Sequence, residues 1–176
     1  KKKIKKFIHI STSEVYGTAL QESMDEMHPL NPQSPYAAAK AGADRLVASY
    51  LSSYKIPAVI VRPFNVFGPR QHLEKLFPRF ITSILLQEPM NIHGTGDSKR
   101  DYTFVGDVAA AIDAILHAPD EQVVGDIFNL GSGNSYSVKE LAEIILNKMI
   151  VDENGEPRAF QFSSYAVNMG DRPGQV

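Results

Sequence analysis

The sequence has 176 residues, room for one ordinary domain with a small lobe. It is 43% hydrophobic and 22% charged, which excludes a wholly disordered chain, and its net charge of -2 argues against a basic nucleic-acid binder. No apolar run approaches the ~18 residues of a membrane span. Cysteine is absent, which excludes disulfides, thiolate metal sites and cysteine nucleophiles and fits a cytoplasmic protein.

The first six residues include five lysines and read as a solvated charged face before a strand. Phe7-Ile8-His9-Ile10-Ser11-Thr12 has the character of a short buried strand. Ser34-Pro35 then opens an alanine-rich helix to about Tyr54, with Ser34 as cap and Pro35 in the first turn. Pro57 to Pro63 forms a second buried strand, so the order strand, helix, strand predicts a parallel βαβ unit. A helix over 74–87 follows, with apolar residues at helical spacing and Pro78 early enough to be tolerated. Met90–His93 and Tyr102–Val105 read as strands around the Gly94-Thr95-Gly96 turn. Asp107 is placed to cap a helix through Leu116. Ile127–Leu130 reads as another strand, and Ser137 with Glu140 as the capping box of a helix to about Met149. Phe160-Gln161-Phe162 completes the list as a last strand. The fold class is α/β.

Tyr36 and Lys40 stand at i and i+4, on one face of the first helix. Solvated helix faces also carry this spacing, but an ammonium beside a phenol favours the phenolate, which can take a proton from a sugar hydroxyl. Thr12, Ser13 and Glu14 follow the first strand, and Asn65 follows the second. Ligands gather beyond the carboxyl ends of parallel strands, so Thr12, Glu14, Tyr36, Lys40 and Asn65 are expected to converge on one crevice. His9, His28, His72, His93 and His117 have no zinc spacing, and no metal site is expected. No Gly-x-Ser-x-Gly elbow is present.

Ser11-Thr12-Ser13-Glu14-Val15-Tyr16-Gly17, Pro35-Tyr36-Ala37-Ala38-Ala39-Lys40 and Arg62-Pro63-Phe64-Asn65-Val66-Phe67-Gly68-Pro69 occur in that order. Together with Arg100-Asp101-Tyr102, Asn129-Leu130-Gly131-Ser132-Gly133 and Arg172-Pro173-Gly174, they resemble the extended short-chain dehydrogenase/reductase family. The resemblance runs from about Lys5 to the end. It implies a partial Rossmann-like parallel sheet flanked by helices, plus a small C-terminal substrate lobe. The expected division is 1–88, carrying the Thr/Tyr/Lys site, and 89–176, including the last sheet strand and part of the sugar-nucleotide lobe.

The activity implied is NAD-dependent epimerisation or dehydration of a nucleotide-diphospho-sugar, starting with oxidation at C4. Tyr36 would deprotonate the 4-hydroxyl, Lys40 would hold the nicotinamide ribose, and Thr12 would hydrogen-bond the 4-hydroxyl. Glu14 would act as acid/base at C5, as in dehydratases and decarboxylases. Asn65, Arg100 and Arg172 would meet the sugar or its diphosphate. The family's Gly-x-x-Gly-x-x-Gly turn for the NAD pyrophosphate does not occur in this sequence, and only six residues precede Phe7. The expectation is therefore a chain without the N-terminal NAD-binding half and the C-terminal tail, in which cofactor binding is weak or absent. An uncovered strand edge, and an alanine-rich helix that forms dimers in many relatives, imply a homo-oligomer. Two other readings stay open: a non-catalytic sugar-nucleotide-binding fragment, and a cofactor-independent glycoside hydrolase pairing Glu14 with Asp101 or Asp107.

Overall fold

The computed structural model describes residues 4–21 and 23–170. In chain order the elements are β1 (Phe7–Ile10), a 3-10 turn (Ser13–Tyr16), α1 (Pro35–Tyr54), β2 (Ala58–Pro63), β3 (Asn65–Phe67), α2 (Leu76–Leu85), β4 (Met90–Ile92) and β5 (Lys99–Phe104). They continue as α3 (Val105–His117), α4 (Asp120–Val123), β6 (Ile127–Leu130), β7 (Ser135–Ser137), α5 (Val138–Met149), a second 3-10 turn (Phe162–Ser164) and β8 (Ala166–Asn168). They form two compact units. Among the described residues, the first draws on the chain up to Val66 and on Tyr102–Gly133, the second on Phe67–Asp101 and on the chain from Asn134 to Gly170. The division is thus not a single boundary at 88. The chain leaves the first unit after Val66 and returns at Tyr102 because Ile127–Leu130 completes the first unit's sheet.

That sheet has the order β1-β2-β6, all parallel, with Phe7 opposite Ala58 and Ile60 opposite Ile127. Every residue of β2 is buried, as a strand covered on both faces requires, and this explains its apolar run from Ala58 to Val61. The core joins Val59 and Val61 to Ile115 and Val123, with Ile8, Phe128 and Leu130 packed around them. A smaller cluster of Val15, Tyr16 and Ala41 sits where α1 meets the first 3-10 turn.

Lys6 corrects the reading of the basic start. Its side chain is 5% exposed, and its Nζ donates to the carbonyls of Ile115, Leu116 and Ala118 at 3.0, 3.3 and 2.7 Å. It is therefore a cation at the end of α3, where carbonyls lack helical partners. Lys1 to Lys3 lie outside the described residues. Asp107 is also not the cap of α3. Strand β5 runs directly into the helix, Phe104 takes the cap position, and Asp107 falls in the first turn.

In the second unit, α2 packs against α5 and β4 around Phe80, Met90, Ile92, Ala142 and Leu146. Strands β4 and β5 flank the expected turn but take other partners: β4 pairs parallel with β8, and β5 antiparallel with β7. The capping box of α5 forms as expected. Glu140 N donates to Ser137 Oγ at 3.1 Å, and Ser137 N donates to Glu140 Oε2 at 2.7 Å. No strand forms at Phe160–Phe162. Phe160 meets Tyr165 edge to face at 6.0 Å, and Ala166–Asn168 takes the place beside β4 instead.

Candidate active site

The first unit gathers most of the expected residues at the carboxyl end of its sheet. Strand β1 ends at Ile10, and Ser11 N still donates to Val61 O at 2.8 Å. Thr12 follows in extended conformation and caps the 3-10 turn, its Oγ1 accepting from Glu14 N at 3.3 Å. A threonine hydroxyl that accepts from the backbone keeps its own proton to donate. Glu14 sits in the first residues of the turn and is exposed.

Gly17 closes the turn at φ 68°, and a Cβ there would overlap the Asn31 carbonyl. Only glycine suits that backbone, which lets Asn31 N bond to Val15 O at 3.0 Å.

Helix α1 begins as expected: Ser34 Oγ accepts from Ala37 N at 3.1 Å with Pro35 in the first turn. Tyr36 is 52% exposed at this end. One turn on, Lys40 Nζ donates to Ile10 O at 2.9 Å, so the ammonium lies at the carboxyl end of β1. Asn65 is half-buried just past β2, where Phe64 N donates to Leu130 O at 3.0 Å. Thr12, Lys40 and Asn65 thus stand at the same end of three parallel strands, and Tyr36 shares the helix face of Lys40. Arg100 belongs to the second unit, on β5 opposite Tyr136 of β7. Arg172 lies outside the described residues.

A buried polar cluster behind these residues was not legible as such in the sequence. Arg62 of β2 and Asp44 of α1 are 1% and 0% exposed and pair at 2.9 Å. Arg62 Nη1 donates to Tyr16 Oη at 2.7 Å, and Tyr16 Oη lies 2.8 Å from Asn129 Oδ1. Burial pushes the Tyr16 phenol above its ordinary range, against the lowering pull of Arg62, so it keeps its proton at neutral pH. The available signal was an arginine inside an otherwise apolar strand, which demands a buried partner.

An ammonium, a phenol, a hydroxyl and a carboxylate carried by neighbouring elements at one sheet end suit proton transfer on a hydroxylated substrate. The ammonium and the half-exposed phenol also fit the ribose end of a nicotinamide cofactor, which offers hydroxyls to both.

Residues 1–131 match the family described as NAD dependent epimerase/dehydratase. The chain is 40% identical over 156 residues to the dTDP-D-glucose 4,6-dehydratase of Dictyostelium discoideum, covering 82% of this chain and 35% of that protein. It is 40% identical over 169 residues to the low-salt glycan biosynthesis protein Agl12 of Haloferax volcanii, covering 94% and 54%. Among solved structures it resembles DesIV, a dTDP-glucose 4,6-dehydratase from Streptomyces venezuelae with NAD and TYD bound. The TM-score there is 0.84 at 33% identity, over 97% of this chain and 49% of that one. The UDP-glucuronic acid 4-epimerase of Bacillus cereus, in complex with UDP-glucuronic acid and NAD, gives 0.82 at 30% identity, over 97% and 49%. The chain spans about half the length or less of these relatives. None of these relatives is a glycoside hydrolase, and that reading is not favoured.

Proposed function

Because this chain belongs to the NAD-dependent epimerase/dehydratase family, we propose that it carries the acid/base part of a nucleotide-sugar 4,6-dehydratase site. The observation that carries this is the Lys40 ammonium held 2.9 Å from the Ile10 carbonyl, beside Thr12 and on the helix face of Tyr36. Tyr36 takes the proton of the sugar 4-hydroxyl as hydride leaves C4. NAD, when bound, supplies the acceptor for that hydride. Lys40 would donate toward the ribose hydroxyls of a bound NAD and places positive charge on the helix face that carries the phenol. Thr12 donates its hydroxyl proton to the sugar O4. Glu14 removes the C5 proton and passes a proton to the departing C6 hydroxyl, so that water is lost; return of the C4 hydride to C6 and of a proton from Glu14 to C5 then gives the 4-keto-6-deoxy sugar. Asn65, Arg100 and Arg172 take the sugar or diphosphate.

A glutamate after Thr12-Ser13 favours dehydration over simple epimerisation, and the 4,6-dehydratases among the similar proteins support the same choice. No Gly-x-x-Gly-x-x-Gly run occurs in the sequence, so contacts to the cofactor pyrophosphate are not assigned to these residues. We further propose that the chain self-associates.

Incubation of the chain with NAD and dTDP-glucose tests the reading through formation of a 4-keto-6-deoxy sugar. Tyr36→Phe is expected to lower turnover by about 10²–10⁴-fold. Equal turnover by the variant would remove Tyr36 as the base. Calorimetric binding of dTDP without turnover or NAD binding would leave a nucleotide-binding module in place of an enzyme.

A further inference from the structure

The buried cluster behind the site has a fixed direction. Arg62 Nε and Nη2 lie 3.0 and 2.9 Å from Asp44 Oδ2, which orients the guanidinium plane. The remaining Nη1 donates to Tyr16 Oη at 2.7 Å. A guanidinium only donates, so the Tyr16 oxygen accepts there and its own proton goes to Asn129 Oδ1 at 2.8 Å. The Asn129 amide is held in that sense because its Nδ2 donates to Met24 O at 3.0 Å. The Tyr16 hydroxyl therefore accepts from Arg62 and donates to Asn129. The Tyr16 ring adds a second hold, with the Arg62 guanidinium carbon 4.8 Å from its centroid.

Tyr16 is the last residue of the 3-10 turn that Thr12 caps and that contains Glu14. A buried ion pair alone would serve the fold no better than apolar packing. What an apolar replacement would lack is the donor aimed at the turn.

We propose that Arg62, oriented by Asp44, positions the turn Ser13–Tyr16 through the Tyr16 hydroxyl, and so sets where Thr12 and Glu14 present their side chains. Arg62, Asp44 and Tyr16 are positioning residues rather than catalytic ones. The consequence for catalysis rests on the dehydratase reading; the consequence for the turn does not.

Amide hydrogen exchange on the full chain tests this. In Tyr16→Phe, the amides of Glu14, Val15 and Gly17 are expected to exchange about tenfold faster, while Ile60 in β2 is unchanged. Ile115→Val, which only loosens the core, is expected to move turn and strand together. Equal acceleration of turn and strand in Tyr16→Phe, or none at the turn, would overturn the proposal. In the same variant kcat for dTDP-glucose is expected to fall about tenfold with KM unchanged. A fall carried by KM alone would also count against it. Absence of turnover in the unaltered chain would defeat the dehydratase reading and leave the exchange result to decide this one. Should Tyr16→Phe not fold, the unaltered chain still decides by NMR. A slowly exchanging Tyr16 hydroxyl proton close to the Asn129 side chain is expected, and its absence would overturn the proposal.

Discussion

Asp44 and Arg62 are eighteen positions apart on a helix and a strand, yet both are almost fully buried and form an ion pair at 2.9 Å. Asp44 Oδ1 also lies 3.3 Å from His9 Nε2, so two cationic-capable side chains face one carboxylate. Asp44→Ala would leave the guanidinium buried without its counter-charge. The expected loss is about 3–5 kcal/mol of unfolding free energy in urea. The paired replacement Asp44→Leu with Arg62→Met is expected to recover most of it, because the desolvation of both charges then disappears. A single-variant loss below about 1 kcal/mol would mean that water reaches the pair.

This pair also marks the limit of sequence reading at the residue scale. Tyr36 and Lys40 could be read because a helix fixes the geometry of i and i+4. The partner of Arg62 could not, because only the packing of α1 on β2 brings Asp44 to it.

The elements that could be read from the sequence were those with local signals. Ser34-Pro35 and the Ser137–Glu140 box start helices where expected, since each cap bonds within three residues. Phe160-Gln161-Phe162 misled because alternation predicts a strand only where a neighbour accepts it, and β4 is occupied by Ala166–Asn168.

The capping box also sets a pH response. The Ser137 backbone N–H, then the Ser137 side chain, hold the Glu140 carboxyl below its ordinary value of 4.5. Backbone N–H groups of Glu156 and Asn154 do the same for Asp152, and Thr95 and then Lys139 for Asp97, both from 3.8. A carboxyl lowered in the folded state stabilises fully above its unfolded value and loses that contribution as pH falls through the folded one. Thermal melts of the chain should therefore show Tm falling as pH drops below 4.5. Glu140→Gln, which keeps an oxygen acceptor but no titration, is expected to have a shallower fall. Parallel curves would mean that the box forms equally well with a protonated Glu140.

For the whole molecule, association can use two surfaces of the first unit, and they make different demands. Among the described residues β1 pairs only with β2, and Phe7 and Ile10 are 42% and 51% exposed. An edge strand with apolar side chains and unpaired backbone groups is a template for another strand. Helix α1 offers the alternative, with Leu46, Tyr50 and Tyr54 at i, i+4 and i+8 exposed by 59%, 46% and 72%. The Tyr50 and Tyr54 rings meet at 5.3 Å between centroids with their planes tilted by 37°, which holds part of that stripe in place. Light scattering over a concentration series is expected to give masses above that of one chain. Charge inserted in the edge, as Ile10→Lys, blocks strand pairing but leaves the helix stripe intact. Tyr50→Lys does the reverse. If the edge is the contact, only the first variant becomes monomeric and indefinite growth ends with it, because edge pairing need not close. If the stripe is the contact, only the second does, and the unaltered chain stops at a dimer. A single-chain mass for the unaltered protein at every concentration would exclude both.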